Sequence, residues 1–334
     1  MHLLKRGLYG EHGEEVSPAG LAVLEDPDNP FTVVPPAGGR STGRRLALAE
    51  WLLEPGSRPQ ALAARVRANW IWLHCFGTGL STTPENFGLS GVEPSHPELL
   101  EFLAAEFVRS GWSLKHMLRL VLSSTAFRQS SAPHAAGLAA DPTNRLVWRF
   151  PVQRLDAESV RDAMLAASGE LDDTRGGPPV LLKGFNSDGP KGEVEPIEPP
   201  GPRRRTLYVQ RRRNVLPTFL QVFDLPSIEA TCTDRPRSTV ALQSLAQLNS
   251  GFARGRAAAL ADRLTAAASA DEARIDLAFA LCTAREPAPA DRAEAVAFLR
   301  EQAAAYAPAA DAPRRALVDL CQIMFLSNAF LYID

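Results

Sequence analysis

The chain has 334 residues, a net charge of −2, 45% hydrophobic and 22% charged residues, enough for one large or two ordinary domains with a buried core. The near-neutral balance excludes a general nucleic-acid binder, which carries a basic surplus. No apolar run reaches the length of a membrane-spanning helix, and residues 1–20 lack the apolar core of a signal peptide. Cys75, Cys232, Cys282 and Cys321 are far apart in sequence, so there is no CxxC, no haem attachment site and no zinc knuckle. They read as thiols packed like small hydrophobes, with two long-range disulfides as the other reading.

Residues 1–42 show no helical period and are rich in Pro and Gly, which predicts an irregular arm continuing from something upstream. Thr42 is the expected cap of a helix over 44–53, ended by Pro55 and Gly56. Pro59 suits the first turn of a second helix running to about Cys75. Leu62, Val66, Trp70 and Leu73 form one apolar stripe on it, and Arg65, Asn69 and Trp72 a second line. Apolar residues on more than one side place that helix centrally in the core. Ser95-His96-Pro97-Glu98 reads as a capping box before a helix that turns Leu99, Leu100, Leu103 and Phe107 inward and closes at Gly111. Ser113 caps the next helix, with Leu114, Met117, Leu118 and Val121 buried. The short link makes the two an antiparallel pair.

Asp141-Pro142-Thr143-Asn144 reads as a turn. A helix over 156–167 follows, with Val160, Met164 and Leu165 inward and Gly169 at its end. Residues 172–205 read as a long loop, with one short strand at 180–182. The alternation over 206–210 predicts a strand bracketed by Arg203, Arg204 and Arg205 and by Arg211, Arg212 and Arg213. Pairing of those runs would give a two-stranded element that must pack on helices. From Thr239 the chain reads as helical, over 239–249, 251–267, 271–283, 290–306 and 313–327. The apolar C-terminus is expected to dock on the body.

The run Asn69-Trp70-Ile71-Trp72, Phe76-Gly77-Thr78-Gly79-Leu80, Thr83-Pro84-Glu85-Asn86-Phe87-Gly88, His96-Pro97-Glu98-Leu99-Leu100, Gly111-Trp112-Ser113 and Phe127-Arg128-Gln129-Ser130-Ser131 resembles a planctomycete domain of unknown function. Further matching motifs are Asp141-Pro142-Thr143-Asn144, Arg154-Leu155-Asp156-Ala157-Glu158 with Arg161-Asp162, Phe223-Asp224, Ser238-Thr239, Gln243 and Leu248-Asn249. One departure is Trp70, where the family usually has arginine. The resemblance implies an exported protein in which this domain follows a cytochrome c-like domain and a companion domain. It implies no catalytic residues. The haem-binding part is absent, so no cofactor is expected, and a redox-partner role rests on the resemblance alone.

Several groups could carry chemistry. His74, His96 and His116 would suit a metal or acid–base cluster, but no pair has metal-ligand spacing, so capping and helix-end roles compete and no metal is assigned. Arg65, Asn69 and Trp72 could line a ligand slot, with Trp72 as a sugar-stacking platform, or form a buried hydrogen-bond network. Glu158, Arg161 and Asp162 share one helix face. The two carboxylates could serve a glycosidase-like site, or the triplet could be a structural ion-pair cluster, which nearby Arg154 supports. The arginine runs, Arg211, Arg212 and Arg213 above all, could fork around an anionic glycan or a partner's acidic surface, or be neutralised by Glu193, Glu195 and Glu198. Ser238 with Thr239, Cys232 and Asp234 lacks a nucleophile elbow and reads as a helix cap.

The expectation is a mainly α fold: a compact multi-helix domain over 43–334 with a small β element and a long central loop, and 170–205 as the place where two lobes would divide. The expected function is binding or scaffolding, with an anionic glycan, a partner protein or the upstream cytochrome-like region as partner. A hydrolase of sulfated or acidic polysaccharide, using Glu158 and Asp162, is the competing class.

Overall fold

The computed structural model describes residues 2–27, 30–39, 41–187, 189–197, 201–228 and 231–333. The fold is mainly α, with thirteen α-helices and four two-stranded sheets among the described residues. Contacts divide the chain into two compact units, Met1–Pro151 and Val152–Asp334; residues 170–205 fall inside the second.

The first unit begins with a hairpin of β1 (His2–Leu4) and β2 (His12–Glu15), where the sequence promised only irregular chain. The rest of the arm is docked: Phe31 meets the Trp51 ring edge-on at 6.0 Å, and a Cβ on Gly20 would strike that indole at 2.7 Å. Trp51 lies on α1 (Arg44–Leu53), whose N-cap is Gly43 at φ 73°, not Thr42. A left-handed cap suits glycine and leaves no side chain to close the first turn.

Helix α2 (Arg58–Phe76) starts where Ser57 accepts the Gln60 N–H and ends where left-handed Gly77 donates to the Leu73 carbonyl. Its buried line is Ala64, Ala68, Ile71, Trp72, Cys75 and Phe76. The stripe expected through Leu62, Val66 and Trp70 is only half-buried, because small alanines let the neighbouring helices approach on the other side. Helix α3 (Pro97–Arg109) is capped by His96 with no side-chain bond. Ser95 instead directs its hydroxyl to His96 Nδ1 at 2.9 Å, so the capping box does not form. Leu100, Leu103 and Phe107 are buried as expected. Trp112 N–H returns to the Phe107 carbonyl at 2.9 Å and closes the turn. Ser113 caps α4 (Leu114–Leu122), which buries Met117 and Val121 but leaves Leu114 exposed in its first turn. A short helix, α5 (Ala135–Ala140), completes the unit.

The second unit opens with β3 (Gln153–Arg154) and α6 (Ala157–Ser168). Asp156 caps α6 by accepting from Ser159 N, and Gly169 at φ 78° ends it. The region read as a long loop is β4 (Leu171–Asp172), a hairpin of β5 (Leu182–Asn186) and β6 (Gly189–Pro196), then β7 (Arg203–Arg204) parallel to β4. Leu182 and Val194 of the hairpin pack with Val209 and Val215 in a small cluster of their own. Residues 206–208 form a 3-10 turn, not a strand, and Arg212 bridges only to Val215, so the two arginine runs do not pair. Strand pairing is lost at Thr206 because its N–H and hydroxyl are both taken by Asp162.

The remaining helices are α7 (Thr218–Val222), α8 (Ala241–Asn249), α9 (Gly251–Ala267), α10 (Asp271–Thr283), α11 (Pro289–Ala305), α12 (Ala312–Leu326) and α13 (Asn328–Leu331). From α8 to α12 they follow the sequence expectation within two residues. Val160, Met164, Leu260, Leu264, Ile275 and Phe325 sit at the centre of their core, almost without solvent contact. Each such side chain contributes about 1.5–3 kcal/mol relative to exposure. The C-terminus docks as expected: Phe330 and Leu331 are buried, and β8 (Tyr332–Ile333) pairs antiparallel with β3. All four cysteines are free thiols, with Cys75 and Cys321 buried and Cys232 exposed. Burial pushes the Cys282 thiol up to about 12, and the same cause raises Cys75.

Candidate functional site

Helix α6 and the chain at 205–211 form the two walls of an open groove of about 780 Å3 in the second unit. Asp156, the N-cap of α6, and Glu158 and Asp162, one turn apart on that helix, line its side of the groove. Across from them stand Arg205 and Arg211, with Arg235 at the rim and Leu220 and Leu225 in the floor. The sequence-predicted pair Glu158 and Asp162 therefore share one groove with arginines. Each carboxylate is nevertheless engaged. Arg235 donates to Glu158 through both terminal nitrogens, at 2.6 and 3.2 Å, and reaches Asp156 at 3.3 Å. The Glu158 hydrogen bond holds the Arg235 guanidinium above its ordinary range. Asp162 Oδ1 accepts from Thr206 N at 2.8 Å and Thr206 Oγ1 at 2.6 Å, and Oδ2 lies 3.5 Å from Arg205.

Arg161, expected to share their face, is directed inward, with its guanidinium still 3.7 Å from Asp162 Oδ1. It is buried, donates to the Arg204 carbonyl and to Thr206 Oγ1 at 3.1 Å, and stacks over the Phe252 ring at 5.3 Å. Arg154 is buried as well and pairs with Asp224 at 2.6 Å. Asp224, in left-handed backbone at φ 65°, also accepts from Ser238 N at 2.8 Å and Ser238 Oγ at 2.7 Å. Burial opposes its charge, but the Ser238 bonds and the Arg154 charge outweigh that and lower its carboxyl below the ordinary range. Ser238 is thus an anchor for Asp224, and Val240, without a side-chain bond, is the N-cap of α8.

The arginine runs are spread over separate tasks. Arg203 pairs with Glu170, Arg204 donates to the carbonyls of Thr174, Gly176 and Pro178 and stacks on Tyr208 at 3.8 Å, and Arg205 faces Asp162. Arg211 donates to the Pro226 carbonyl, Arg212 lies over the Phe185 ring at 4.7 Å, and Arg213 is exposed. Glu195 pairs with Lys183 at 3.1 Å, and Glu198 lies outside the described residues.

In the first unit the proposed slot of Arg65, Asn69 and Trp72 is not one site. Arg65 makes a fork to Glu101 at 2.6 and 2.9 Å on the surface. Asn69 is wholly buried and holds both backbone groups of Ser81, at 3.0 and 2.9 Å. Trp72 stacks on Phe76 at 4.1 Å and borders a separate cavity. The histidines are scattered: His74 is exposed, His96 faces Ser95, and His116 Nε2 meets buried Glu106 at 2.6 Å. Among the described residues no group of three or more His, Cys, Asp and Glu is placed to hold a metal ion.

Helix α8 carries the feature that sequence reading missed. It turns its amides inward: Gln243 donates to the carbonyls of Val222 and Ser238 at 3.2 and 3.1 Å, and Gln247 to that of Phe325 at 2.8 Å. Gln322 of α12 donates back to the Gln247 and Leu248 carbonyls at 3.0 and 2.7 Å. The leucines consequently face solvent, with Leu242, Leu245 and Leu248 exposed by 64%, 50% and 44%. Neighbouring Val240 is exposed by 44% and Ile323 by 45%. No charged residue lies on α8.

A family model for proteins of unknown function, PSD1 (DUF1553), matches residues 44–299. The chain belongs to the PSD1 family. No curated protein and no solved structure matches it. The PSD1 match spans the groove, the Asp224–Ser238 anchor and α8, while the closing strand β8 lies beyond it. Among the described residues no helix is long and apolar enough to cross a membrane.

Proposed function

We propose that this PSD1 chain is an interaction module whose partner is another protein, docking on the outward face of α8. The inverted helix carries the reading. Two buried glutamines, a back-donating Gln322 and the Asp224–Ser238 anchor hold three leucines in water, against the ordinary preference of an amphipathic helix. A contiguous apolar face without charges is the composition of an interface core. Its orientation is fixed by directed hydrogen bonds, so the face is preorganised for a partner.

The other partner class, an anionic glycan, draws less support. Most of the arginines that would bind it are occupied within the unit, and the groove they border sets four carboxylates, Asp156, Glu158, Asp162 and Asp173, against Arg205, Arg211 and Arg235. A sulfated chain would meet like charge there. The hydrolase reading needs a carboxyl free to exchange a proton, whereas Glu158 is held by a guanidinium fork and Asp162 by two Thr206 donors. The resemblance to exported planctomycete proteins would place the partner outside the cytoplasm.

The test is the triple variant L242S/L245S/L248S. Exposed apolar groups contribute little to the fold, so each replacement should alter stability by no more than about 0.5 kcal/mol. Binding of a hydrophobic dye should fall. Immobilised on a column, the wild-type chain should retain a discrete protein from an extract of its source, and the variant should lose it. A melting point lowered by many degrees would show that the leucines belong to the core; identical retention by both chains would refute the docking face.

A further inference from the structure

The first unit contains a cavity of about 430 Å3 between the chain that follows α2 and the loop 141–150, within the size range of small-molecule sites. Trp72, Phe76, Leu80 and Val147 make it apolar inside, and Glu93 and Arg145 border it with opposite charges. Both walls are held rigid. Asn69 fixes Ser81 from below, and a Cβ on Gly79 would strike the Ser81 carbonyl at 2.5 Å, so the wall sits against its support as closely as backbone allows. On the other side the Asp141 carboxylate accepts the Arg145 and Leu146 N–H groups at 3.0 and 2.7 Å, and Asn144 bonds the Arg149 backbone in both directions.

That second wall is strained. Val147 has φ 54° and Asn144 φ 58°. Left-handed backbone is unusual for a β-branched residue and persists only where its surroundings over-determine it. Here Gln129 holds the Val147 carbonyl at 2.8 Å. Strain of this kind concentrates at ligand clamps.

Three residues with polar groups line the cavity. Trp72 lines the cavity with its indole and is 7% exposed. The Glu93 and Arg145 side chains are exposed, and the Arg145 charge also acts on the Asp141 carboxylate.

We propose that this cavity binds a zwitterion with an apolar body, of the size of a free apolar amino acid or a short apolar peptide. The apolar group enters against Trp72, Phe76 and Val147. The ammonium faces Glu93, the carboxylate faces Arg145, and the indole N–H donates to an acceptor on the ligand. One charge of each sign at the mouth selects against singly charged relatives, because each would leave one side chain uncompensated.

Isothermal titration of the full chain tests this with L-phenylalanine, L-leucine and the dipeptide Leu-Leu, against 3-phenylpropionate and phenethylamine. Phenylalanine should bind about tenfold more tightly than either single-charge analogue, the discrimination expected of one charge-assisted contact. In R145Q its affinity should fall to that of phenethylamine, and in E93Q to that of 3-phenylpropionate. Both positions are on the surface, so the variants should keep the wild-type melting point. W72F, which keeps a ring and removes the donor, should weaken phenylalanine several-fold. Preference for Leu-Leu over leucine would assign the site to peptides, and the reverse to free amino acids. Equal affinity for phenylalanine and its single-charge analogues, or no binding by any amino acid or dipeptide of the panel, would overturn the proposal.

Discussion

Helices α2 and α8 each bury an amide side chain, and they use it in opposite ways. In α2, Asn69 joins a buried line of Ala64, Ala68, Ile71 and Phe76, so hydrophobic burial and hydrogen bonding favour one orientation. In α8, Gln243 and Gln247 face inward while Leu242, Leu245 and Leu248 face water, so the two forces disagree and the hydrogen bonds prevail. A helix whose orientation is chosen by polar anchors keeps its apolar side for another use. A helix whose anchors and apolar side coincide needs no such compromise in its orientation.

Breaking each anchor separates the two cases. Asn69→Ala should have the largest effect, about 2–5 kcal/mol, because the N–H and carbonyl of Ser81 both lose their partner in a buried site. Urea unfolding followed by hydrogen exchange at 77–95 would measure it; a loss near zero would mean that the loop finds other bonds. Gln247→Leu should cost less, about 1–2 kcal/mol, since only the Phe325 carbonyl is orphaned while a buried Oε1 that lacks a partner is also removed. The added leucine would also let α8 roll, which would appear as protection of Leu245 from solvent labels.

The smallest effect concerns pH. The Arg109 hydrogen bond first, then that of His116, hold Glu106 of α3 below its ordinary value of 4.5. A carboxyl depressed in the folded state stabilises it fully above that ordinary value, and the contribution disappears as pH falls through the lower folded value. Melting curves from pH 7 to 3 should show an acid decline that Glu106→Gln removes in part. An unchanged decline would assign acid sensitivity elsewhere, with Asp141, lowered by the Leu146 N–H, as the next carboxyl to examine.

Much of this architecture can be read from residue order. Proline stops and caps such as Ser113 state the helices directly, and the five helices α8 to α12 are bounded to within two residues. The hairpin β5–β6 is hidden because Gly184, at φ 87°, brings the Glu193 carbonyl within 2.1 Å of where its Cβ would be; the resulting bulge erases the alternation that marks a strand. At 206–210 the alternation is present, but Asp162 takes the Thr206 donors, a contact between residues far apart in sequence. The same reason turns Arg161 inward to the Arg204 carbonyl and Thr206, while it stays 3.7 Å from Asp162. For α8 the signal was available: Gln243 and Gln247 are spaced by one turn amid leucines. Leucines at 242, 245 and 248 look like a core stripe, and only the carbonyls awaiting those amides show which side is inside.

The pairing of β3 with β8 has a consequence in time. Gln153 stands opposite Ile333, so the first strand of the second unit is completed by the last. A ribosome adding about 5–20 residues per second delivers the second partner on the order of ten to forty seconds after the first. Throughout that interval the nascent unit holds an unfinished edge, and its closure waits until β8 has emerged from the ribosome.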